Sequence, residues 1–289
     1  MADLAPLETL YDASSGDPLP LPAELVAIYG GLRFRPRPGQ PTLISNFVST
    51  LDGVVSLNAP GHGKAVHSDA GGGDISGFDE HDRLVMGLLR AVADVVIVGT
   101  GGLRIGPDHM WTAEYIYPPL AGAYQKLRDN LGKGGPPLHV IVTASGEVDT
   151  GLRVFRSGEV PVLVVTTTDG ARRIGARGVP PTVQIVAPQS SGLLSAQTIL
   201  DAVRQAHPAL PSDMVLIEGG PHLVGVFFAA RRLDGLFLTL APQIAGRDSS
   251  VERPGFVAGQ LFAPEQPLWG MLVGVKRGGS HLFLRYSFE

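Results

Sequence analysis

An alternation of short apolar runs with amphipathic segments constrains the fold of this chain more than any other feature. Runs of this length and apolarity are typical of strands that are covered on both faces of a sheet. They lie at 43–49, 95–99, 138–143, 162–166, 183–187, 214–217 and 235–240. Helical spacing is found between them at 80–92, 117–130, 170–177 and 195–206, where Ser195 suits an N-cap. The sequence therefore predicts an α/β fold of three layers, with a mostly parallel central sheet between two layers of helices.

The two ends of the chain complete the predicted architecture. Segments 271–276 and 281–288 flank Gly278 and Gly279, which predicts an antiparallel hairpin that closes the C-terminus. Residues 1–41 are rich in proline and contain one short helical segment at 23–29. We expect residues 1–41 to form an extension over the surface of one domain that spans residues 42–289.

Composition limits the classes of function. A formal net charge of −4 argues against a dedicated nucleic-acid-binding protein. The absence of cysteine excludes structural disulfides, thiol nucleophiles and the cysteine-ligated zinc of pyrimidine deaminases. No signal-peptide pattern and no apolar run of membrane-spanning length is visible, so we expect a cytoplasmic protein without a membrane partner. His62 and His67 lack further ligands at suitable spacing, and no metal site is predicted.

The segment 214–232 carries the most informative local pattern. A buried strand ends at Glu218-Gly219-Gly220, and Pro221 suits the first position of the helix that follows. A strand, paired glycines and a helix N-terminus together present backbone N–H groups to a phosphate. The same residues also fit an ordinary turn from a strand into a helix.

Further segments of this kind follow the other predicted strands. In a parallel sheet, ligands bind beyond the carboxyl ends of the strands. Those ends are 49–53, 99–102, 143–145, 166–168 and 218–220, and they carry hydroxyl groups or glycines that suit a phosphate. The set as a whole favours a small-molecule ligand that bears phosphate.

Four segments, in this order, carry a family resemblance. They are Ser49-Thr-Leu-Asp-Gly53, the helix-to-strand unit 89–99, the glycine loop 215–221, and the strand at 233–246 with its Ala-Pro and Gly. Together they resemble the RibD C-terminal family, the reductase domain of bacterial riboflavin biosynthesis, which is related in fold to dihydrofolate reductase. The terminal hairpin also fits, and the resemblance covers residues 42–289.

The resemblance implies an NADPH-dependent reductase that commonly forms a homodimer. Its substrate would be 5-amino-6-(5-phosphoribosylamino)uracil, and hydride would pass from the nicotinamide to C1 of the ribose. Glu218 and Asp52 would be the catalytic residues and would also contact the substrate, together with Lys64 and Arg104. The cofactor would be held by Gly99, Thr100, Gly101, Gly102, Thr143, Thr166, Gly219, Gly220, Leu223, Val224 and Gly225.

Several of these roles have a plainer reading from the residues alone. Lys64 and Arg104 are also typical of exposed cations, and Thr166 of the β-propensity of a strand end. Asp52 is equally typical of a turn residue that caps backbone N–H groups. Glu218 is also typical of a carboxylate that interacts with a helix dipole.

Several positions depart from the pattern of that family. Gly102 stands where the family has threonine, Gly106 where it has the first aspartate, and Gly87 where it has histidine. Residues 65–68 replace its Trp-Ile-Ser/Thr. These departures lie on the substrate side, which leaves two alternatives open: an NADPH-dependent reductase of a pterin or another small molecule, and a non-catalytic nucleotide-binding protein.

Overall fold

The computed structural model describes residues 4–57, 73–104, 106, 108–188, 194–208, 213–248 and 253–288. Within these residues, ten strands form one sheet: β1 (Glu8–Asp12), β2 (Thr42–Ser49), β3 (Val95–Gly99), β4 (Leu138–Thr143), β5 (Val162–Thr166), β6 (Val183–Val186), β7 (Met214–Ile217), β8 (Gly235–Leu240), β9 (Met271–Gly278) and β10 (His281–Ser287). The helices are α1 (Ala23–Tyr29), α2 (Gly73–Ser76), α3 (Glu80–Val92), α4 (Thr100–Leu103), α5 (Ala113–Ile116), α6 (Ala121–Asn130), α7 (Arg153–Arg156), α8 (Thr168–Arg177), α9 (Ala196–Ala206) and α10 (Pro221–Ala229).

The sheet has a parallel centre and an antiparallel end. The strand order is β1-β9-β10-β8-β2-β7-β3-β4-β5-β6. All neighbours from β8 to β6 pair in parallel, whereas β10 pairs antiparallel with both β8 and β9, and β1 pairs antiparallel with β9. The predicted parallel sheet and C-terminal hairpin are therefore confirmed.

Helices cover both faces of the parallel sheet. Successive side chains of β3 alternate between two cores, because a strand directs neighbouring residues to opposite faces. Val96 and Val98 pack with residues of α1, α3 and α6, while Val95 and Ile97 pack with residues of α9 and α10. This arrangement gives the three layers that the sequence predicts.

Most predicted boundaries match the structure, and Ser195 caps α9 by accepting a hydrogen bond from the Thr198 N–H. The helix predicted at 117–130 begins later, because Pro118 and Pro119 lack the N–H groups that an α-helix interior needs. They form a 3₁₀ turn before α6. Strand β1 was not predicted: all five of its residues are exposed, so no alternation of buried side chains marks it.

Residues 4–41 are joined closely to the rest of the chain. Strand β1 extends the sheet beside β9, and Leu25 of α1 and Leu32 are buried in the core on the α3 side. The division of the chain at residue 41 stays a prediction. No helix among the described residues has the length and apolarity that crossing a membrane requires.

Candidate functional site

Two glycine turns meet at the carboxyl edge of the sheet. We call residues 99–102 the first glycine turn and residues 218–220 the second glycine turn; they follow β3 and β7, which are neighbours in the sheet. A Cβ atom on Gly99 would lie 3.8 Å from the Cδ2 atom of Leu223 in α10. The sequence-predicted positions Gly99, Thr100, Gly219 and Gly220 are thus brought together.

The two glycines of the second turn have different surroundings. Gly219 is buried, and a Cβ there would come within 2.4 Å of the Leu223 side chain, so this glycine permits α10 to pack closely. Gly220 is exposed, and a Cβ there would meet no atom within 4 Å. The N–H groups of both glycines donate to no described residue, and they precede the nine-residue helix α10. These open donors at a helix N-terminus suit an anionic group.

Three other predicted cofactor contacts, Leu223, Val224 and Gly225, lie in α10, where hydrogen bonds and packing leave little room for a ligand. The N–H groups of Leu223 and Val224 already donate to the carbonyl oxygen of Gly220, at 2.9 and 3.1 Å. The side chain of Val224 is buried, and a Cβ on Gly225 would lie 2.8 Å from the carbonyl oxygen of Ala258. Among the three, only Leu223 is partly exposed beside the glycine turns.

Thr143 and Thr166, at the ends of β4 and β5, are also buried. The Thr143 hydroxyl accepts a hydrogen bond from the Gly146 N–H at 3.1 Å, while the Thr166 Oγ1 atom has no partner among the described residues. A Cβ on Gly170 would approach that oxygen to 2.0 Å. Close packing of α8 therefore covers the Thr166 hydroxyl, and the Thr143 hydroxyl is used within its own turn.

The first glycine turn is backed by an aromatic ring. A Cβ on Gly102 would lie 3.0 Å from the Cζ2 atom of Trp111, whose side chain is buried. Gly101 and Arg104 are exposed, and the Arg104 side chain contacts no described partner through a hydrogen bond or ion pair. Lys64, the other predicted substrate contact, lies outside the described residues.

Glu218 forms a buried ion pair. Its Oε2 atom accepts a hydrogen bond from the Nε atom of Arg90 at 2.9 Å, and the two side chains are 7% and 3% exposed. Burial raises the pKa of Glu218 above its usual value, while the charge and hydrogen bond of Arg90 and the nearby Asn46 act in the opposite direction. The Oε1 atom is buried and makes no hydrogen bond of good geometry with a described residue.

Arg90 also binds the segment that carries Trp111. Its Nη1 atom donates to the carbonyl oxygens of Met110 and Thr112, at 3.4 and 3.3 Å. The ring of His109 packs edge-on against Trp111, with centroids 4.7 Å apart. Burial, together with the charges of Arg90 and His139, lowers the pKa of His109 to about 3, so this imidazole is neutral at pH 7.

Asp52 has a different environment from Glu218. Its Oδ1 atom accepts from the Thr50 hydroxyl at 2.5 Å and from the Ala245 N–H at 3.1 Å, and its Oδ2 atom accepts from the Gly246 N–H at 2.8 Å. These hydrogen bonds, led by that of Thr50, lower the pKa of Asp52 to about 2. The carboxylate is ionised at neutral pH and therefore holds no proton to donate. The geometry is that of a turn residue that ties the end of β2 to the loop after β8.

A cavity of about 440 Å³ lies near the amino ends of strands β4 and β5. Its walls include Pro136 and Pro137, which precede β4, and Val160, which precedes β5. Arg90 and Thr112 also line it, but the glycines of the two turns do not. Among the described residues, no group of three or more His, Asp or Glu side chains is arranged to hold a metal ion.

Comparison with known proteins gives a consistent result. The model of the RibD C-terminal domain family matches residues 41–267. A pyrimidine reductase-like protein from Corynebacterium diphtheriae is similar in structure, with a TM-score of 0.60 and 20% identity, over 86% of this chain and 92% of that one. None of the curated proteins is significantly similar in sequence.

Two longer proteins share the same fold. One is a diaminohydroxyphosphoribosylaminopyrimidine deaminase/5-amino-6-(5-phosphoribosylamino)uracil reductase from Thermotoga maritima, with a TM-score of 0.56 and 19% identity, over 86% of this chain and 57% of that one. The other is RibD from Acinetobacter baumannii, with a TM-score of 0.59 and 18% identity, over 87% of this chain and 59% of that one. The chain therefore spans less than two thirds of the length of either protein.

Proposed function

The chain belongs to the RibD C-terminal domain family, and from this membership we propose that it is an NADPH-dependent reductase of a small molecule. The observation that carries the proposal is the open second glycine turn. Gly220 has free space on its side-chain face, and the N–H groups of Gly219 and Gly220, at the start of α10, donate to none of the residues that the structure describes. A diphosphate is the part of NADPH that such a turn binds.

The residues present fit this cofactor. Gly219 and Gly220 would donate to its phosphates, while Gly99 and Thr100 lie beside them on the neighbouring strand. NADPH, when bound, supplies the hydride for the reduction. The chain would supply position and electrostatics: Glu218, which directly precedes the glycines of the second turn, would act on the substrate through its negative charge, and Arg90 stabilises that charge.

The substrate that the family resemblance favours is 5-amino-6-(5-phosphoribosylamino)uracil, reduced at C1 of its ribose. One observation supports a reductase of another small molecule, including a pterin. Gly87 and Gly102 stand where the family has histidine and threonine, and aromatic rings cover both: Tyr124 lies over Gly87, and Trp111 lies over Gly102. Neither position offers a polar side chain to a substrate.

Two measurements test the proposal. The first is a titration of the purified protein with NADPH, followed by protein fluorescence or by the rise in melting temperature. The second is NADPH consumption in the presence of the riboflavin intermediate or of dihydrofolate. Turnover of the riboflavin intermediate supports the leading proposal, and turnover of dihydrofolate supports the alternative. Binding without turnover of any candidate favours a nucleotide-binding protein, and absence of NADPH binding refutes the proposal.

The homodimer that the resemblance implies is also part of the proposal. Large apolar side chains are exposed outside the core, among them Leu261, Trp269 and Met271. Apolar surface of this kind favours contact between copies of a chain when it is contiguous. Light scattering coupled to size-exclusion chromatography would give the mass in solution, and a monomer at micromolar concentration would contradict the expectation.

A further inference from the structure

Arg90 contacts the second glycine turn directly and is linked to the first through the segment that carries Trp111, although its own side chain lies in the core. We propose that Arg90 is a positioning residue that holds the first and second glycine turns in one fixed arrangement. The inference rests on the proposed function, because the two turns are the parts of the chain assigned there to NADPH. Its claim is separate, however: it concerns what keeps the two turns in register.

The contact of Arg90 with the second glycine turn is direct. Glu218 directly precedes Gly219, and its carboxylate is held by the Arg90 Nε atom at 2.9 Å. Both side chains are almost completely buried. Separation of such a pair would leave an uncompensated charge in the protein interior, so Glu218 and the backbone that follows it are held firmly.

The link from Arg90 to the first glycine turn is indirect. The Arg90 Nη1 atom donates to the carbonyl oxygens on either side of Trp111, those of Met110 and Thr112. The Trp111 ring in turn rests on Gly102, where no side chain intervenes. The guanidinium thus fixes the segment that supports the first turn, and a single side chain connects it to the second turn.

Only arginine suits this role. Its planar fork offers five N–H donors in fixed directions, whereas lysine has one ammonium group. Contact with a carboxylate in one direction and with two carbonyl oxygens in another requires the fork. Two histidines lie near the Arg90 charge. Burial is the main cause that lowers the pKa of His109 and of His139, and the charge of Arg90 acts in the same direction; the pKa of His139 is lowered to about 4. Both are neutral at pH 7, so they neither replace nor oppose the charge of Arg90.

Arg128 provides a matched control within the same layer of helices. It is 4% exposed, and it donates to the carbonyl oxygens of Ala91, Ala93 and Gly135. It therefore resembles Arg90 in burial and in its carbonyl contacts. None of its partners belongs to, or packs on, either glycine turn.

The first test compares the NADPH affinity of the wild-type protein with that of the R90K and R128K variants. Both variants lose hydrogen bonds from a buried guanidinium, so both should melt at a lower temperature. We expect R90K to raise the Kd for NADPH about tenfold, within the usual range of coupling between linked sites, and R128K to change it less than about twofold. An unchanged Kd in folded R90K, or an equal rise in both variants, would overturn the proposal.

The second test needs no ligand, so it remains decisive if the wild-type protein fails to bind NADPH and the proposed function falls. The chain has two tryptophans, and the W269F background leaves Trp111 as the sole indole emitter. In that background, R90K should make Trp111 fluorescence more accessible to acrylamide, whereas R128K should not. If quenching is the same in all three proteins, Arg90 does not hold the segment that supports the first turn.

If R90K does not fold, the W111F variant tests the positioning role instead. Phenylalanine leaves the Arg90–Glu218 pair in place but presents a smaller ring to Gly102. The positioning role predicts weaker NADPH binding in W111F with the wild-type fold retained. Unchanged affinity in that variant would exclude Trp111 as the link between Arg90 and the first turn.

Discussion

The ring of Tyr124 takes the space beside Gly87 that a side chain would otherwise fill. A Cβ on Gly87 would come within 2.6 Å of the Tyr124 hydroxyl oxygen, and that hydroxyl donates to the carbonyl oxygen of Leu84 at 3.1 Å. Both residues are buried between α3 and α6. The absence of a side chain at position 87 is therefore what allows these two helices to pack.

The G87A variant should be less stable than the wild-type protein. Alanine forces either the Tyr124 ring or the α3 backbone to move, and overpacking of a core usually costs about 1–3 kcal/mol. This cost should exceed the helix-forming advantage of alanine over glycine, which is about 0.5–1 kcal/mol. Urea denaturation followed by circular dichroism would measure the difference.

Gly175 in α8 is the control. It is exposed, and a Cβ there would meet no atom within 4 Å. G175A should therefore raise the free energy of unfolding by about 0.5–1 kcal/mol. Stabilisation by G87A as well would show that Tyr124 adjusts without cost.

Two carboxylates should give the stability of this protein opposite dependences on pH. Burial raises the pKa of Asp82 from 3.8 to about 6, although hydrogen bonds from Thr239 and Ser76 and the charge of His281 act against the rise, and Asp79 adds to it. The folded protein therefore binds this proton more tightly than the unfolded chain does. The stabilising contribution is complete below about pH 4 and is lost as pH rises toward 6.

The D82N variant removes that titration. We expect it to be more stable than the wild-type protein at pH 7, by up to about 3 kcal/mol, and to differ less at pH 4. D52N should behave in the opposite way, because the pKa of Asp52 is lowered to about 2 by its hydrogen bonds. Loss of the Asp52 carboxylate should destabilise the protein at pH 7, and this effect should become smaller as pH falls toward 2. Melting temperatures measured from pH 2 to 7 test both signs.

The sequence predicts the central strands almost to the residue because they are buried on both faces. Val95–Gly99 and Val162–Thr166 consist almost entirely of apolar or β-branched residues, so hydrophobicity alone marks their limits. The edge strand Glu8–Asp12 has no such signal, since its stability comes from pairing with β9. Pairing of this kind depends on a partner far along the chain, which local patterns do not reveal.

The same difference between local patterns and long-range contacts explains why only part of the candidate site can be predicted from the sequence. Glycine turns are local features, so Gly99 and Gly220 are recognisable from the sequence. The contact between Arg90 and Glu218 joins residues 128 positions apart, and nothing local predicts it. One signal was present: Arg90 is the only charged residue in the apolar run 84–92, and a charge on a buried helix usually has a partner. His109 and Trp111 carry no comparable signal.

The E218Q variant should lose turnover more than NADPH affinity. Glutamine can still accept the hydrogen bond from Arg90, so the second glycine turn stays in place, but the negative charge near the reacting groups is lost. We expect turnover to fall about tenfold or more. Stability should also fall, by about 3 kcal/mol, because Arg90 is left as a buried cation.

Glu159 gives the comparison for E218Q. It pairs with Arg153 at 2.8 Å, but its side chain is 49% exposed. E159Q should leave both stability and turnover close to those of the wild-type protein, because solvent screens an exposed pair. A collapse of NADPH affinity in E218Q, with the single-turnover rate maintained, would show that Glu218 serves the cofactor and not the substrate.

The G220V variant should lose NADPH binding without loss of the fold. Gly220 has φ −67° and ψ 174°, which valine adopts without strain, and a Cβ there meets no atom within 4 Å. The branched side chain would therefore fill open space, and that space is where the proposed phosphates lie. Without NADPH, G220V should melt near the wild-type temperature. With saturating NADPH it should lack the rise shown by the wild-type protein, which corresponds to about 2.7 kcal/mol at a hundred times the Kd.

G219A provides the contrast, because a Cβ at that position would come within 2.4 Å of Leu223. Its melting temperature should fall even without NADPH, since α10 must shift from β7 to accommodate the methyl group. The pair of variants separates the two functions of the glycines: Gly219 permits helix packing, and Gly220 leaves the approach to the helix N-terminus open. If G220V keeps the full NADPH-dependent rise, the second glycine turn is a packing feature and the cofactor binds elsewhere.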